Sequence, residues 1–295
     1  MAATKWDRLA LRAASAETAS SIPVFLYGTA WKKGRTADLV YQALCSGFTA
    51  VDTAAQPKHY REDLVGEGIQ TKYTAVSGQN PDDMPYDPKS SIAEQVHASI
   101  KSSLRNLRPS DDPDSESKAY LDALVLHSPL PSIGQTLEAW AALEEYVPDK
   151  IRHLGISNCP ASVLSVLHEA AKVKPAVVQN RFFRKGNYDR EVRRFCNANS
   201  IVYQSFWTLT ANPDVVFSAP VGLLANQLGI SPQAAMYCLV LSLGNIVILN
   251  GTTKEERMVD DLQAPKQVEE FAMKRPDAWE RVRTAFKDFI GESNM

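Results

Sequence analysis

Four reactive side chains stand at or just after short hydrophobic runs, namely Asp52, Tyr60, Lys72 and His127. Together these residue types can protonate a carbonyl oxygen while it gains negative charge. A tyrosine phenol, whose ordinary pKa is about 10, must become more acidic for this task, and a neighbouring ammonium favours its ionised form. Lys72 is the candidate ammonium and Asp52 would pair with it. His127 would orient the carbonyl or share its proton.

None of the four side chains can deliver a hydride, so reduction of a carbonyl would require a nicotinamide cofactor. Each side chain taken alone also has a simpler role. Asp52 could cap a loop, Lys72 could reach solvent from a strand edge, and His127 could be a buried histidine bonded to the backbone. Tyr73 is a second candidate donor. It alternates with Lys72 along a strand and would face the opposite side of the sheet, which favours Tyr60.

The elements that would position these residues alternate between short β-rich runs and segments of helical periodicity, a pattern typical of parallel βαβ units. The predicted strands are Pro23–Tyr27, Phe48–Asp52, Gln70–Ala75, Leu121–Leu126, His153–Ile156, Ala176–Gln179, Ile201–Ser205 and Asn245–Leu249. The predicted helices are Thr36–Ser46, Ser91–Leu107, Gly134–Tyr146, Pro160–Lys172, Asp189–Asn199 and Ser231–Leu243.

Eight parallel strands form either a closed barrel or an open doubly wound sheet, and the open sheet needs a glycine-rich phosphate turn after its first strand. The residues that follow the first predicted strand, 27–31, lack that G-x-G-x-x-G turn. We therefore predict an α/β fold of the (β/α)8 TIM barrel type, with residues 1–295 as a single domain.

Local signals mark some helix ends and the packing of the tail. Ser231 and Asn158 each stand shortly before a proline, which predicts helix starts at both places. The polar stretch Arg108–Lys118 is expected to form a surface loop. The tail, residues 263–295, contains two helical patterns that should pack on the barrel exterior or rim. Its expected inward face comprises Trp279, Val282, Phe286 and Phe289.

The composition excludes several classes of protein. The 295 residues are 44% hydrophobic and 22% charged, as in globular proteins, and 32 basic against 34 acidic residues give a net charge of −2. A chain without basic excess is not expected to bind nucleic acid. The four cysteines form no C-x-x-C pair, so neither a metal site nor a disulfide scaffold is expected. Without a signal peptide in residues 1–21 or a membrane-length apolar run, we expect a cytoplasmic protein.

Eight sequence segments occur in an order that resembles the aldo-keto reductase family. They are GTAW at 28–31, VDTAAQ at 51–56, HYREDLVGEG at 59–68, QTKYT at 70–74, LDALVLHSP at 121–129, KIRHLGISN at 150–158, VVQNRF at 177–182 and NGTTKEERM at 250–258. The likeness covers nearly the whole chain. Members of this family carry an Asp–Tyr–Lys–His tetrad on a TIM barrel and use NADP(H).

The resemblance implies a role for each matching residue. The tetrad comprises Asp52, Tyr60, Lys72 and His127, with Tyr60 as the proton donor. The positions that hydrogen-bond the nicotinamide amide are Ser157, Asn158 and Gln179. Phe206 falls where the family stacks an aromatic ring on the nicotinamide, and Trp207 is the alternative for that position.

The segment 250–257 resembles the loop that holds the adenosine 2′-phosphate. Arg257 and Lys254 would supply charge, and Thr252 and Thr253 would supply hydroxyl groups. Asn250 stands where many relatives have a lysine, so a preference for NADP over NAD depends mainly on Arg257. NADP(H) is therefore the expected cofactor, and NAD is the less favoured one.

These inferences predict an NADP(H)-dependent oxidoreductase that reduces an aldehyde or ketone. Its partner would be a small-molecule carbonyl substrate, without nucleic acid or membrane, and the protein would be a monomer or a weak oligomer. The substrate itself depends on variable loops at 31–33, 77–88 and the tail. Four aromatic side chains suggest an apolar pocket, although each could equally serve packing: Trp31, Tyr86, Phe182 and Phe183.

One segment departs from the family pattern. Only eleven residues separate Tyr60 from Lys72, whereas the family normally has a full helix and a return loop there. The 16 residues from Thr53 to Gly68 exceed the roughly 10–12 that a crossover needs. We therefore expect helix 2 to be truncated or absent and one flank of the barrel to be thinly covered. The alternative function is a catalytically impaired nucleotide-binding or interaction protein derived from such a reductase.

Overall fold

The computed structural model describes residues 6–12, 20–65, 69–108 and 118–292, and eight parallel strands close into a barrel within them. The barrel strands are β3 (Phe25–Gly28), β4 (Val51–Asp52), β5 (Ile69–Tyr73), β6 (Leu121–Leu126), β7 (Ile151–Ser157), β8 (Val177–Arg181), β9 (Val202–Phe206) and β10 (Ile246–Asn250). Each strand pairs with the next along the chain, and β10 pairs with β3 to close the ring. The predicted (β/α)8 barrel is confirmed.

Helices cover the outside of the barrel. They are α1 (Thr36–Ser46), α2 (Ile92–Asn106), α3 (Ile133–Glu144), α4 (Ala161–Ala170), α5 (Arg190–Ala198), α6 (Pro213–Val216), α7 (Ala219–Leu228), α8 (Pro232–Leu241), α9 (Glu255–Lys274) and α10 (Pro276–Phe289). Ser91 and Ser132 form capping boxes before α2 and α3, and Ser231 caps α8 as predicted.

The barrel interior changes from apolar to polar along the strands. Side chains two residues apart share one face of a strand, so each strand contributes a ladder of inward positions. Near the amino-terminal strand ends this interior is a small cluster of aliphatic side chains, which includes Val177 and Val202. Two residues further along the same strands stand Gln179 and Gln204, both buried. The polar layer therefore lies on the carboxyl-terminal side, where barrel enzymes carry their active sites.

A two-stranded antiparallel hairpin closes the apolar end of the barrel. It consists of β1 (Arg8–Leu11) and β2 (Ser20–Pro23). Ile22, Leu9 and Leu11 pack against the interior aliphatic cluster. This hairpin was absent from the sequence prediction because its short strands carry little periodic signal.

The connection between β4 and β5 contains no α-helix in its described part, residues 53–65. It contains a single 3₁₀ turn, Glu62–Leu64, and residues 66–68 lie outside the described residues. Within residues 53–65 the short turn, which rests on α2, stands in place of a crossover helix. This is the flank that the sequence analysis expects to be thinly covered.

Glu62 anchors that turn. Its side chain is 5% exposed and accepts hydrogen bonds from Ser103 Oγ (2.9 and 3.1 Å), Asn106 Nδ2 (3.2 Å) and Thr71 Oγ1. The donors come from β5 and α2, so a single carboxyl group joins the turn to both neighbouring elements. Burial raises the pKa of Glu62, and the three hydrogen bonds oppose that rise.

Several sequence predictions require correction. The predicted barrel strands are all present, and β6 has both ends as predicted, whereas the other strands differ by up to three residues at one or both ends. The short helix α6 and the helix α7 were not predicted. In the tail, Phe289 is 40% exposed and does not belong to the inward face. The predicted cap at Asn158 is wrong, since α4 begins after Pro160 without a side-chain cap. Most of the predicted polar loop, residues 109–117, lies outside the described residues.

No helix in the described part of the chain is long and apolar enough to cross a membrane.

We expect Glu62→Ala to lower the free energy of unfolding by about 2–4 kcal/mol, because the buried hydroxyls of Thr71 and Ser103 and the half-buried amide of Asn106 lose their acceptor. Glu62→Gln should cost less, since its amide oxygen can still accept. Urea denaturation measures both variants. Glu138→Ala removes an exposed carboxylate and should change stability by less than about 0.5 kcal/mol. If Glu62→Ala were as stable as the wild-type protein, the turn would not depend on this carboxyl group.

Candidate active site

A buried ion pair joins β4 to β5 inside the barrel. Lys72 Nζ donates to Asp52 Oδ2 at 2.6 Å and to the carbonyl oxygen of Thr53 at 2.8 Å. The two charged side chains are 1% and 3% exposed. Burial by itself lowers the pKa of Lys72, but the Asp52 carboxylate and Tyr60 raise it, and the net shift is upward. Lys72 therefore remains a full ammonium at neutral pH.

Two glutamines bind the Asp52 carboxylate, and a third glutamine binds both of them. Asp52 Oδ1 accepts from Gln70 Nε2 at 2.8 Å and from Gln179 Nε2 at 3.0 Å. Gln204 Oε1 accepts from both of these amides, and Gln204 Nε2 donates to Gln70 Oε1 at 2.7 Å. The carboxylate is thereby held in one orientation. Sequence reasoning missed Gln70 and Gln204, although Gln70 lies two residues before Lys72 and Gln204 lies two residues before Phe206.

Tyr60 lies beside the ion pair. The centroid of its ring is 5.1 Å from Lys72 Nζ and 6.3 Å from the ring of His127, which it meets edge to face. Its backbone N–H donates to the carbonyl oxygen of Gln56 at 3.1 Å, which fixes the loop after β4. The structure thus brings together all four residues of the predicted tetrad.

The acidity of the Tyr60 phenol differs from the sequence expectation. Burial raises the pKa of Tyr60, the Lys72 ammonium lowers it, and the net shift is upward rather than downward. The loss of hydration outweighs the attraction of the ammonium because the phenolate would be buried. The expected net acidification is therefore corrected, although the direction of the Lys72 contribution is as argued.

His127 follows β6 and faces the same space. Its Nδ1 lies 2.6 Å from Thr74 Oγ1, and its backbone carbonyl accepts from Asn158 Nδ2 at 2.9 Å. Burial lowers the pKa of His127 to about 3, and the charges of Lys72 and His59 contribute in the same direction. The imidazole is therefore neutral across the physiological range and can act as a hydrogen-bond partner without a charge.

The predicted nicotinamide residues lie at the neighbouring ends of β7, β8 and β9. Ser157 is opposite Gln179 in the strand register, and its hydroxyl donates to the Gln179 carbonyl oxygen at 2.6 Å. Asn158 has a left-handed backbone with φ of 51°, which turns its amide toward His127. Phe206 ends β9 and is half-buried. These four residues line one side of the barrel mouth.

The loop after β10 is shaped from beneath by Asn250. This residue is fully buried, its Nδ2 donates to Asp261 Oδ2 at 2.7 Å, and its Oδ1 accepts from the Thr252 backbone N–H at 2.9 Å. Asn250 thus positions the loop, whereas Thr253 and Arg257 are exposed above it.

The loop after β3 meets the loop after β10. Lys32 Nζ donates to the carbonyl oxygen of Gly251, and Tyr27 Oη donates to that of Thr252 at 3.0 Å. Burial lowers the pKa of Lys32 to about 8, with a contribution from Arg35. The sequence analysis placed Lys32 in a substrate loop, but the structure places it against the predicted phosphate loop.

Of the four aromatic side chains proposed for a substrate pocket, two are buried in the core, Phe183 is half-buried and Trp31 is exposed. Tyr86 packs on Tyr73 and Phe182 packs on Tyr188, and both are buried in the core. Trp31 is 62% exposed and stacks on His59 near the mouth. The described residues contain no cluster of histidine, cysteine, aspartate and glutamate suited to a metal ion.

A family model provides the decisive comparison. Residues 27–211 match the model described as the aldo/keto reductase family, which is more than half of the chain. The chain belongs to the aldo/keto reductase family. The matched region carries all four tetrad residues and ends a few residues beyond β9, so the predicted family is confirmed.

Curated relatives and solved structures agree with this assignment. An uncharacterized oxidoreductase of Schizosaccharomyces pombe is 27% identical over 228 residues, or 76% of this chain and 75% of its own. The glyoxal reductase of Bacillus subtilis is 29% identical over 57% of this chain and 55% of its own. The structure of the Bombyx mori aldo-keto reductase in complex with NADP aligns with a TM-score of 0.68 at 17% identity, over 89% of this chain and 88% of that one.

We expect the His127 imidazole of this reductase-family protein to stay neutral between pH 5 and 8, because its pKa lies near 3. Histidine NMR signals, assigned by comparison with His127→Asn, measure this directly. A midpoint for His127 near 6.5 would contradict the desolvated environment described above.

Proposed function

We propose that this protein reduces an aldehyde or ketone to an alcohol with NADPH, and that Tyr60 donates the proton. The observation that supports this most strongly is the placement of Tyr60 against the Lys72–Asp52 ion pair despite the shortened connection after β4. Family membership supplies the reaction class.

The residues at the mouth fit a nicotinamide dinucleotide. At the ring end, Asn158 and Gln179 offer amide groups beside the half-buried ring of Phe206. At the phosphate end, the 20-residue helix α9 begins at Glu255, and its first backbone N–H groups point toward residues 252–254. Arg257 adds a positive charge there. The Bombyx mori reductase and a mutant of Gox0644 have both been solved with NADP or NADPH, the latter aligning at a TM-score of 0.68 and 20% identity over 95% of this chain and 94% of that chain.

The bound cofactor supplies the hydride, and the residues of this chain stabilise the negative charge on the carbonyl oxygen and supply the proton. A carbonyl oxygen between Tyr60 and His127 would accept a hydrogen bond from the phenol as its negative charge grows. Lys72 stabilises the phenolate that remains after proton transfer, and Asp52 keeps the ammonium in place. A neutral His127 orients the oxygen without competing as an acid.

The alternative of an impaired nucleotide-binding protein depends on the same shortened connection. Glu62 anchors the short turn, and this contact favours a tyrosine loop that is ordered without the crossover helix. Oxidation of NADPH in the presence of an aldehyde distinguishes the two functions, since an impaired protein would bind NADPH and would not oxidise it.

Tyr60→Phe should reduce kcat for NADPH-dependent reduction of benzaldehyde by about 100-fold or more, since it removes the proton donor and leaves the ring in place. The Kd for NADPH should stay within about twofold, because the phenol does not hold the cofactor. Stopped-flow absorbance and fluorescence titration measure the two quantities. Tyr73→Phe is the matched control, because Tyr73 is buried against Tyr86 outside the barrel interior. Equal losses in both variants would contradict the assignment of Tyr60.

Arg257→Gln should raise the Kd for NADPH by about tenfold and leave the Kd for NADH nearly unchanged, since only NADPH carries the 2′-phosphate. Fluorescence titration with both nucleotides measures the ratio. Arg275→Gln removes an exposed arginine after α9 and serves as the control. If the Kd values for NADPH and NADH rose by the same factor, Arg257 would stabilise the loop and would not bind the 2′-phosphate.

A further inference from the structure

Arg181 ends β8 on the strand face that lines the barrel interior. On this strand Val177 belongs to the interior aliphatic cluster, and Gln179 donates to the Asp52 carboxylate. Because side chains two residues apart share a face, Arg181 projects into the mouth about 6.6 Å beyond Gln179. In the strand register it lies opposite Phe206.

Two aromatic rings hold the Arg181 guanidinium. Its central carbon lies 4.5 Å from the ring centroid of Trp207 and 5.8 Å from that of Phe206. Trp207 is half-exposed and has a left-handed backbone with φ of 56°, so the chain turns sharply to place this ring at the mouth. Stacking of this kind orients a guanidinium and leaves its N–H groups free to bind an anion.

The Arg181 guanidinium has no anionic partner within the described part of the chain. It takes part in none of the ion pairs or side-chain hydrogen bonds found there, whereas nearby Arg184 pairs with Asp214 at 2.6 Å. A stacked and solvent-accessible guanidinium beside a reaction centre is well suited to a carboxylate, which it can bind through two parallel hydrogen bonds.

The cofactor phosphates have a separate set of groups. Lys32, Arg257 and the amino terminus of α9 gather at the loops after β3 and β10. Arg181 lies on β8, with β9 between it and β10, and its partner in the register is the ring proposed to stack on the nicotinamide. This position favours a substrate group over a cofactor phosphate.

We propose that Arg181 binds a carboxylate on the carbonyl substrate, so that the preferred substrates are aldehydes or ketones that carry an anionic carboxyl group. This inference rests on the proposed carbonyl reduction. Trp207 acts as the positioning residue for the guanidinium.

The test compares 4-carboxybenzaldehyde with benzaldehyde, which differ only in the carboxylate. Wild-type protein should have the higher kcat/KM on the carboxylated aldehyde. Arg181→Gln should lower kcat/KM on it by about 10- to 100-fold, the factor expected for hydrogen bonds to a charged group, and should change the value for benzaldehyde less than about threefold. The KM for NADPH should stay unchanged. Arg184→Gln, which removes the paired arginine, should affect neither aldehyde.

Equal losses on both aldehydes would overturn the proposal, and so would a rise in the KM for NADPH alone, which would assign Arg181 to a cofactor phosphate. A binding measurement separates this outcome from failure of the proposed function. Calorimetric titration of the NADPH-loaded protein with benzoate needs no turnover. Weaker benzoate binding in Arg181→Gln supports the carboxylate site even if no aldehyde is reduced, and absent or unchanged benzoate binding counts against it.

Discussion

The Lys72–Asp52 ion pair is the interaction on which the candidate site depends. Two charges with almost no solvent contact lose a large hydration energy, which their attraction offsets only when the remaining hydrogen-bonding positions are satisfied. Here Gln70, Gln179 and the Thr53 carbonyl satisfy them. The same buried environment raises the pKa of Tyr60. The Lys72 ammonium lowers this pKa, and because it opposes the effect of burial it has to lie close to the phenol.

The short turn after β4 shows how a connection without an α-helix in residues 53–65 can still present a loop residue at the barrel mouth. A helix buries an apolar face against two strands, whereas this turn is attached through one buried carboxyl group, Glu62, with donors from β5 and α2. Polar attachment is directional, which suits a loop that has to present Tyr60 in one orientation. Because burial raises the pKa of Glu62, this attachment also depends on the protonation state of the carboxyl group.

The mouth of the barrel divides into regions of different chemistry. The loops after β3 and β10 gather cationic and hydroxyl groups and meet through the Lys32 contact to Gly251. The space beside β4, β5 and β6 holds Tyr60, Lys72 and His127, the groups for which we propose proton transfer. The ends of β8 and β9 combine the Phe206 and Trp207 rings with the guanidinium of Arg181. A nicotinamide dinucleotide and a carbonyl substrate bound together at the mouth would contact all three regions, which is consistent with carbonyl reduction as the proposed function.

Local patterns in the sequence were sufficient to predict the barrel, most of its helices and the family. Alternation, caps and ordered motifs are properties of residues that are neighbours in the sequence. They did not predict the β1–β2 hairpin, whose strands are too short for a periodic signal, nor the glutamine layer, whose members Gln70 and Gln204 meet across the closed barrel. The direction of the Tyr60 pKa shift and the stacking of Arg181 likewise depended on the tertiary structure. The burial of a side chain, and its distance from residues far away in the sequence, are set only when the strands close into a ring. The pKa shifts and the ion pair of the site follow from those two quantities.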